Sequence, residues 1–461
     1  MIHVFEQKQY MLKRILTPFK FGLRSTIADA LLVGNSFVWY YMVLALLLQE
    51  MVLKINPAGP YLVLIWGLHF GGLIISAVVG ANLSKKLKQT NFIVFWMAIG
   101  AVSSLGVLMI NSSDIVQVSL IGLFLGVSLG LGMPTCIGRY ANSLPIESRG
   151  RVSGITLFVS GIGIVGFSIL GIGDIVLLGI ILATWRLLGL IIFLVTKNLS
   201  PPATLQKSTE SYKKIISKHS FIFYLIPWVM FSLINYLVAP STPNLTGPES
   251  ENLAFVSLVQ TGFIGIFALL GGFFMDSLGR KRVAVTGFIL LGIGTATLGI
   301  STTSLPILYL NAVLDGTAWG FLFVLFILTL WGDLSAGESS EKYYALGVMP
   351  FFISKFLDLT VGSSLSASLG NSSALFSFGS FFLFLAVLPL IYAPETLPEK
   401  VMKDRDLKSY IEKAQKAATR ESEKKQKRKP KEKEEQVTSK DEHKEDSQEY
   451  EEARKLAEKY Y

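Results

Sequence analysis

The chain has 461 residues, 51% of them hydrophobic and 16% charged, with a formal net charge of +9 at pH 7. Its apolar residues gather in runs of about 20, which excludes an ordinary soluble domain. The positive balance does not point to nucleic acid: from Glu395 onward 19 basic residues meet 18 acidic ones, and the remaining excess sits in short loops, where membrane topology places it. The single cysteine, Cys136, excludes an intrachain disulfide, and no Cys/His spacing suits a metal.

Residues 1–24 carry charges and Pro18 but no short apolar core with a cleavage site, so they read as a cytoplasmic lead-in rather than a removed signal peptide. Twelve apolar runs follow, at 27–48, 61–81, 91–110, 115–138, 153–173, 175–196, 220–240, 252–274, 283–301, 306–331, 345–367 and 372–393. Each spans roughly 30 Å as a helix. None alternates with period two, so an all-α polytopic membrane protein is expected. Basic residues crowd one set of loops (Lys85, Lys86 and Lys88; Arg139, Arg149 and Arg151; Arg280, Lys281 and Arg282), while the opposite set holds only Lys54. That asymmetry predicts a cell-membrane protein with both termini cytoplasmic.

The stretch 198–219, with Pro201, Pro202 and several lysines, reads as a cytoplasmic linker between six-helix bundles at 25–197 and 220–396. Two landmarks recur at nearly one offset. Gly80 precedes S-K-K-L-K as Gly272 precedes D-S-L-G-R-K, about 192 residues on; Arg149 and Gly154 match Lys342 and Gly347 about 193 residues on. A duplication is therefore expected. Residues 397–461 intersperse Lys and Glu with few apolar residues and read as a solvated charged tail.

The loop Gly271–Arg282, G-G-F-F-M-D-S-L-G-R-K-R, resembles the loop signature of the major facilitator superfamily, as do the twelve spans, the linker and the duplication over 25–396. The resemblance implies two pseudo-symmetric six-helix bundles that rock about a central cavity, with spans one, four, seven and ten lining it. It also implies that this loop closes the cytoplasmic side. Asp276 would meet the start of the eleventh helix and a nearby arginine, Gly272 and Gly279 would allow close approach, and Arg280 and Lys281 would be charge partners, with Arg149 in the same gating set. The first-half copy departs from the pattern, with Ser84 in place of the acid and Leu87 in place of the second glycine. The fourth span lacks the internal arginine of proton-linked members and the fifth has no Gly-Pro pair, so no subfamily is supported.

Polar residues inside the spans are the candidate site, because burying them in hydrocarbon costs several kcal/mol unless they act or pair. Asp315 lies about 14 Å beyond Pro306 and Lys355 about 15 Å from Ala345, both near the midplane. Asn311, Asp315 and Trp319 recur every fourth residue as one stripe on span ten. Asp315 is read either as a substrate or cation contact or as a structural partner of Lys355, and Lys355 with Asp358 forms an alternative i,i+3 pair. Arg186, about 18 Å from Asp174, falls on a span that is peripheral in the family. Span one offers Asn35 and Trp39 beside Ser36 and Tyr40, with Asp29 as a cap or loop-lysine contact. Span seven adds Trp228, Ser232 and Asn235. Gln260 and His69 read as helix-to-helix hydrogen bonds rather than ligands.

No nucleotide loop, catalytic triad or cofactor fingerprint is present. The expectation is a monomeric, cofactor-free secondary active or facilitative transporter of a small organic solute by alternating access, not an enzyme, with a proton or sodium ion as candidate coupling ion. The alternative is a non-transporting membrane sensor or scaffold of the same fold that signals through its charged tail.

Overall fold

The computed structural model describes residues 23–196, 210–238, 248–301, 304–335, 339–362 and 373–397, with 451 and 454; for 23, 235–238, 248–254 and 373 it describes the backbone course alone. The lead-in, most of the linker and nearly all of the charged tail lie outside these residues.

The described residues form helices and no strands. Twelve helices correspond one for one to the twelve apolar runs: α1 (Arg24–Ile55), α2 (Gly59–Lys86), α3 (Gln89–Met109), α4 (Ile115–Ser143), α5 (Ile146–Ile169), α6 (Ile175–Thr196), α7 (His219–Val238), α8 (Pro248–Leu278), α9 (Arg280–Ile300), α10 (Leu305–Leu334), α11 (Ser340–Gly362) and α12 (Ala374–Tyr392). Eleven have an apolar stretch long enough to cross a bilayer, and the described apolar part of α7 is shorter. The architecture is that of a multi-pass membrane protein.

Local chemistry sets the helix ends. Asp114 caps α4 by accepting from the Val116 N–H at 2.8 Å, and Asp174 caps α6 by accepting from the Leu177 N–H at 2.8 Å. Asn56 ends α1 in a left-handed conformation, φ 47°, which Asn tolerates better than most residues. Pro60 and Pro306 open α2 and α10, where a missing N–H costs nothing. Single π-turns interrupt α1 at Val43–Leu48, α10 at Val324–Thr329 and α11 at Asp358–Gly362.

Small residues decide how closely the helices pack. On α4 a ridge of Gly122, Gly126 and Gly130 lies against α2, and a Cβ at Gly126 would stand 2.1 Å from the His69 carbonyl oxygen. α8 crosses α5 in the same manner: a Cβ at Gly272 would stand 2.4 Å from the Gly150 carbonyl oxygen. α8 packs along α10 as well, and α2 packs on α11. Outward faces carry Ile, Leu, Val and Phe, as hydrocarbon requires. On α6, Leu187, Leu188, Ile191 and Val195 are exposed, while Leu182, Arg186, Gly189 and Phe193, spaced by four, three and four residues, are buried.

Candidate functional site

Two regions join helices from the first six to helices from the last six. The first is an aromatic ladder at mid-helix. His69 of α2 and Tyr40 of α1 lie nearly parallel with ring centroids 6.3 Å apart, and the Tyr40 ring meets the edge of Phe352 of α11 at 5.9 Å. Phe352 contacts Phe351, Phe351 stacks with Trp228 of α7 at 6.2 Å, and Trp228 stacks with Phe231 at 5.0 Å. Phe231 meets Trp319 of α10 edge-on at 4.7 Å. Such offset and edge contacts each contribute about 0.5–1.5 kcal/mol beyond their burial.

Along this ladder four buried polar atoms make no hydrogen bond among the described residues: Tyr40 Oη, His69 Nε2, Trp228 Nε1 and Ser232 Oγ. The ring of His69 is oriented by its other nitrogen, which lies 2.9 Å from the Gly122 carbonyl oxygen. A carbonyl can only accept, so Nδ1 carries the proton and neutral His69 presents Nε2 as a lone pair. The ladder thus offers an acceptor at His69, a donor at Trp228, and two hydroxyls that do either. That set suits a small solute with a hydroxyl or N–H group and an apolar face.

The polar stripe of span ten divides instead of lining one surface. Asp315 Oδ2 accepts from Gln260 Nε2 of α8 at 2.5 Å, whereas Asn311 donates to the Gly294 carbonyl of α9 at 2.9 Å. Asp315 does not pair with Lys355, whose ammonium meets Asp358 at 2.6 Å on the same face of α11. Two residues of α1 also leave the predicted site. Asn35 donates to the Trp185 carbonyl at 2.8 Å and Trp39 donates to Ser104 Oγ at 3.0 Å, so both face α3 and α6. One residue on, Tyr40 faces the ladder. Arg186 is wholly buried against Asn35 and Ser36; α6 is peripheral, but its buried stripe carries this residue inward. Asp29 meets Arg139 of α4 at 2.9 Å. The Asn235 side chain lies outside the described residues.

The second region lies at the basic-loop ends. Asp276, near the end of α8, accepts from the backbone N–H of Gly150 at 3.0 Å and of Arg151 at 2.8 Å. Arg151 Nε lies 3.1 Å and Arg280 Nη1 3.0 Å from the same carboxylate. The partner helix is therefore α5, the fifth span, and not the eleventh as the resemblance implied. The reason is the α5–α8 crossing, which sets Gly272 against Gly150 and Gly154 and brings the first turns of α5 onto the carboxylate, where the helix dipole favours an anion. Gly279 turns the chain at φ 102°, a conformation that favours glycine. Lys281 is not a partner of Asp276; its ammonium donates to the Ile391 carbonyl at 2.6 Å.

Asp333, at the end of α10, was not among the residues expected from sequence, yet it organises this end. Its wholly buried carboxylate takes Arg149 Nη1 at 2.5 Å and Arg280 Nε at 2.9 Å. Glu395 accepts from the backbone N–H of Arg280 at 2.8 Å and of Lys281 at 3.1 Å. The first-half counterpart is built otherwise. At the end of α2, Lys85 donates to Ser339 Oγ before α11. Glu210, also unforeseen, pairs with Lys218 at 2.6 Å and accepts from Tyr343 Oη at 3.0 Å, and Tyr212 donates to the Val78 carbonyl at 3.0 Å. Burial pushes the Tyr212 hydroxyl up to about 12. Burial also works against the Lys218 ammonium, but its bonds to Glu210 and Tyr343 outweigh this and leave it above the ordinary lysine value.

Among the described residues no three His, Cys, Asp or Glu are placed to hold a metal ion. No family model matches the sequence, and no curated protein matches it. Solved structures do match. The proton:xylose symporter XylE of the major facilitator superfamily, bound to 6-bromo-6-deoxy-D-glucose, superposes with a TM-score of 0.62 at 16% identity, over 82% of this chain and 97% of that one. The human organic anion transporter MFSD10 (TETRAN) superposes with a TM-score of 0.59 at 14% identity, over 80% of this chain and 99% of that one. At such identities the likeness shows the fold.

Proposed function

From a chain that has the major facilitator fold, we propose a secondary transporter that moves a small organic solute by alternating access, with the solute held at the aromatic ladder. One observation carries this reading. Asp276 of α8 grips the start of α5 through hydrogen bonds and an ion pair, a contact that can be released and remade without unfolding either helix. Such a latch at the basic-loop end, cytoplasmic by the charge asymmetry, suits a molecule that closes one side while the other admits solute. The same-fold proteins found here are, by their titles, a sugar symporter and an organic anion transporter, which supports transport without choosing a solute.

The ladder holds the solute. His69 Nε2 and Tyr40 Oη come from the first six helices and Trp228 Nε1 and Ser232 Oγ from the last six, so a bound solute ties the two sets together. Asp315, buried against Gln260 and one helical turn from Trp319, is the candidate for the coupling ion. A carboxylate hydrogen-bonded to the neutral side chains of Gln260 and Trp319 can take up a proton or a cation when access changes.

Uptake into proteoliposomes tests this, using a panel of neutral, cationic and anionic solutes with and without proton and sodium gradients. At least one solute is expected to accumulate. His69→Ala is expected to weaken its uptake by about tenfold or more, the cost of one lost buried hydrogen bond, and Asp315→Asn to leave exchange intact while abolishing accumulation against a gradient. Absence of flux for every solute from correctly folded protein would overturn the reading, and deletion after Glu399 that leaves flux unchanged would count against a sensor that works through the tail.

A further inference from the structure

Arg186 is a buried cation that uses one of its three guanidinium nitrogens in hydrogen bonds among the described residues. It is 0% exposed. Nη1 donates to Asn35 Oδ1 at 3.2 Å and to Ser36 Oγ at 2.7 Å, both uncharged acceptors. The guanidinium carbon stands 4.2 Å over the Trp96 ring and 4.9 Å over the Trp39 ring. No carboxylate reaches it among the described residues, and Asp29 on the same helix as Asn35 is engaged by Arg139. Indole faces offset part of a guanidinium charge, by about 2 kcal/mol or more when desolvated. An arginine stays protonated even so, and an uncompensated buried charge costs several kcal/mol.

The two guanidinium nitrogens without a hydrogen-bond partner among the described residues are Nε and Nη2. They are neighbours, and their N–H groups point the same way. Together they form the side-on edge that grips an oxyanion with two parallel bonds. Gly100 packs against this part of the side chain, where a Cβ would stand 2.9 Å from Nε and 3.3 Å from Cγ. Any larger residue there would press on Nε. The helices around the site, α1, α3 and α6, part at their far ends around a cavity of about 560 Å³ rimmed by Glu50, Lys54 and Asp174, about 16 Å above Arg186 by helical rise from Ile175.

We propose that Arg186 is the centre of an anion site inside the first six helices, binding one compact monovalent anion on its Nε/Nη2 edge between Trp39 and Trp96. A single positive charge calls for a single negative one, and the close indole walls call for a small ion. A halide and a small carboxylate share that chemistry. The site is separate from the ladder, because Trp39 and Tyr40 leave α1 on different sides, and it stands whether or not the chain transports. An anion there would also fix the position of α1 from behind.

The full-length protein, purified in gluconate buffer, is titrated with chloride, nitrate, formate and acetate while tryptophan emission and the thermal midpoint are followed. Binding is expected to change emission saturably, since two indoles lie on the guanidinium, and to raise the midpoint by several degrees at about 100 times the dissociation constant. Arg186→Met is expected to abolish both effects. Gly100→Ala, which retains the arginine but sets a methyl group against Nε, is expected to weaken binding by about tenfold or more. A larger response to nitrate and formate than to chloride identifies an oxyanion, and the reverse a halide. No response to any of the four anions at about 100 mM, weaker than any useful site, would overturn the proposal, as would equal responses in the wild type and Gly100→Ala. The glycine variant keeps the test decisive if Arg186→Met does not fold.

Discussion

The two ends that tie the first six helices to the last six solve one task with opposite materials. Where α8 meets α5, the negative charges are central: Asp276 and Asp333 are enclosed by Arg149, Arg151 and Arg280 and by backbone N–H groups. Where α2 meets α11, the loop brings a cation instead. Lys85 donates to Ser339, and the acid, Glu210, comes from the linker and gathers Lys214, Lys218 and Tyr343. The first end is nearly dry. In the second, Lys218 keeps 33% and Lys214 69% of its side chain exposed. Interactions between ions gain most from a low dielectric but cost most when one partner is lost, so the first end should act as an all-or-none latch and the second as a graded brace.

Three substitutions would break or sharpen this contrast. Asp333→Ala leaves the buried Arg149 and Arg280 without the acid they share, and a loss of about 3–5 kcal/mol is expected, read as a fall in thermal midpoint and as labelling by maleimide of a cysteine at buried Ser335 in a Cys136→Ala background. Labelling unchanged from the parent would refute the central place given to Asp333. Asp276→Asn keeps an acceptor for the α5 backbone but removes the charge. A smaller effect is expected, about 1.5–3 kcal/mol, with faster labelling at the same cysteine and little change in midpoint; an equal fall in midpoint would make Asp276 a folding residue rather than a latch.

Glu210→Gln should have the smallest effect, about 1 kcal/mol or less, reduced further by salt because the brace is partly exposed. Its pH dependence has a definite sign. Lys218 has a raised pKa in the folded chain, so its contribution is complete below the ordinary lysine value of about 10.4 and is lost as pH rises through the raised one. Glu210→Gln should flatten that alkaline loss. A loss of the same size in wild type and variant would assign it to other groups.

Legibility differed from residue to residue. The helices were plain because hydrocarbon admits no unsatisfied backbone, so twelve apolar runs could only be twelve helices. The α8–α9 loop was legible as a turn, because a run of Arg and Lys after a glycine does not stay in hydrocarbon. The partner of Asp276 was misassigned, since a motif names an acid without naming the helix that crosses it. Asp333 stands two residues past the limit of span ten, where nothing in the local sequence separates a buried acid from one in a solvated loop. The stripe Asn311–Asp315–Trp319 was sound as a face of one helix, but three neighbours, α9, α8 and α7, divide it between them.

What the sequence determined by itself is which segments lie in the membrane and which loops are basic, because those follow from the solvent each residue tolerates. Tertiary structure alone decided which polar groups meet. On helices that are apolar all round, no period in the sequence separates the face turned to lipid from the face turned to a neighbour. Only packing placed Arg186 between two indoles, Tyr40 beside His69 and Asp333 between two arginines.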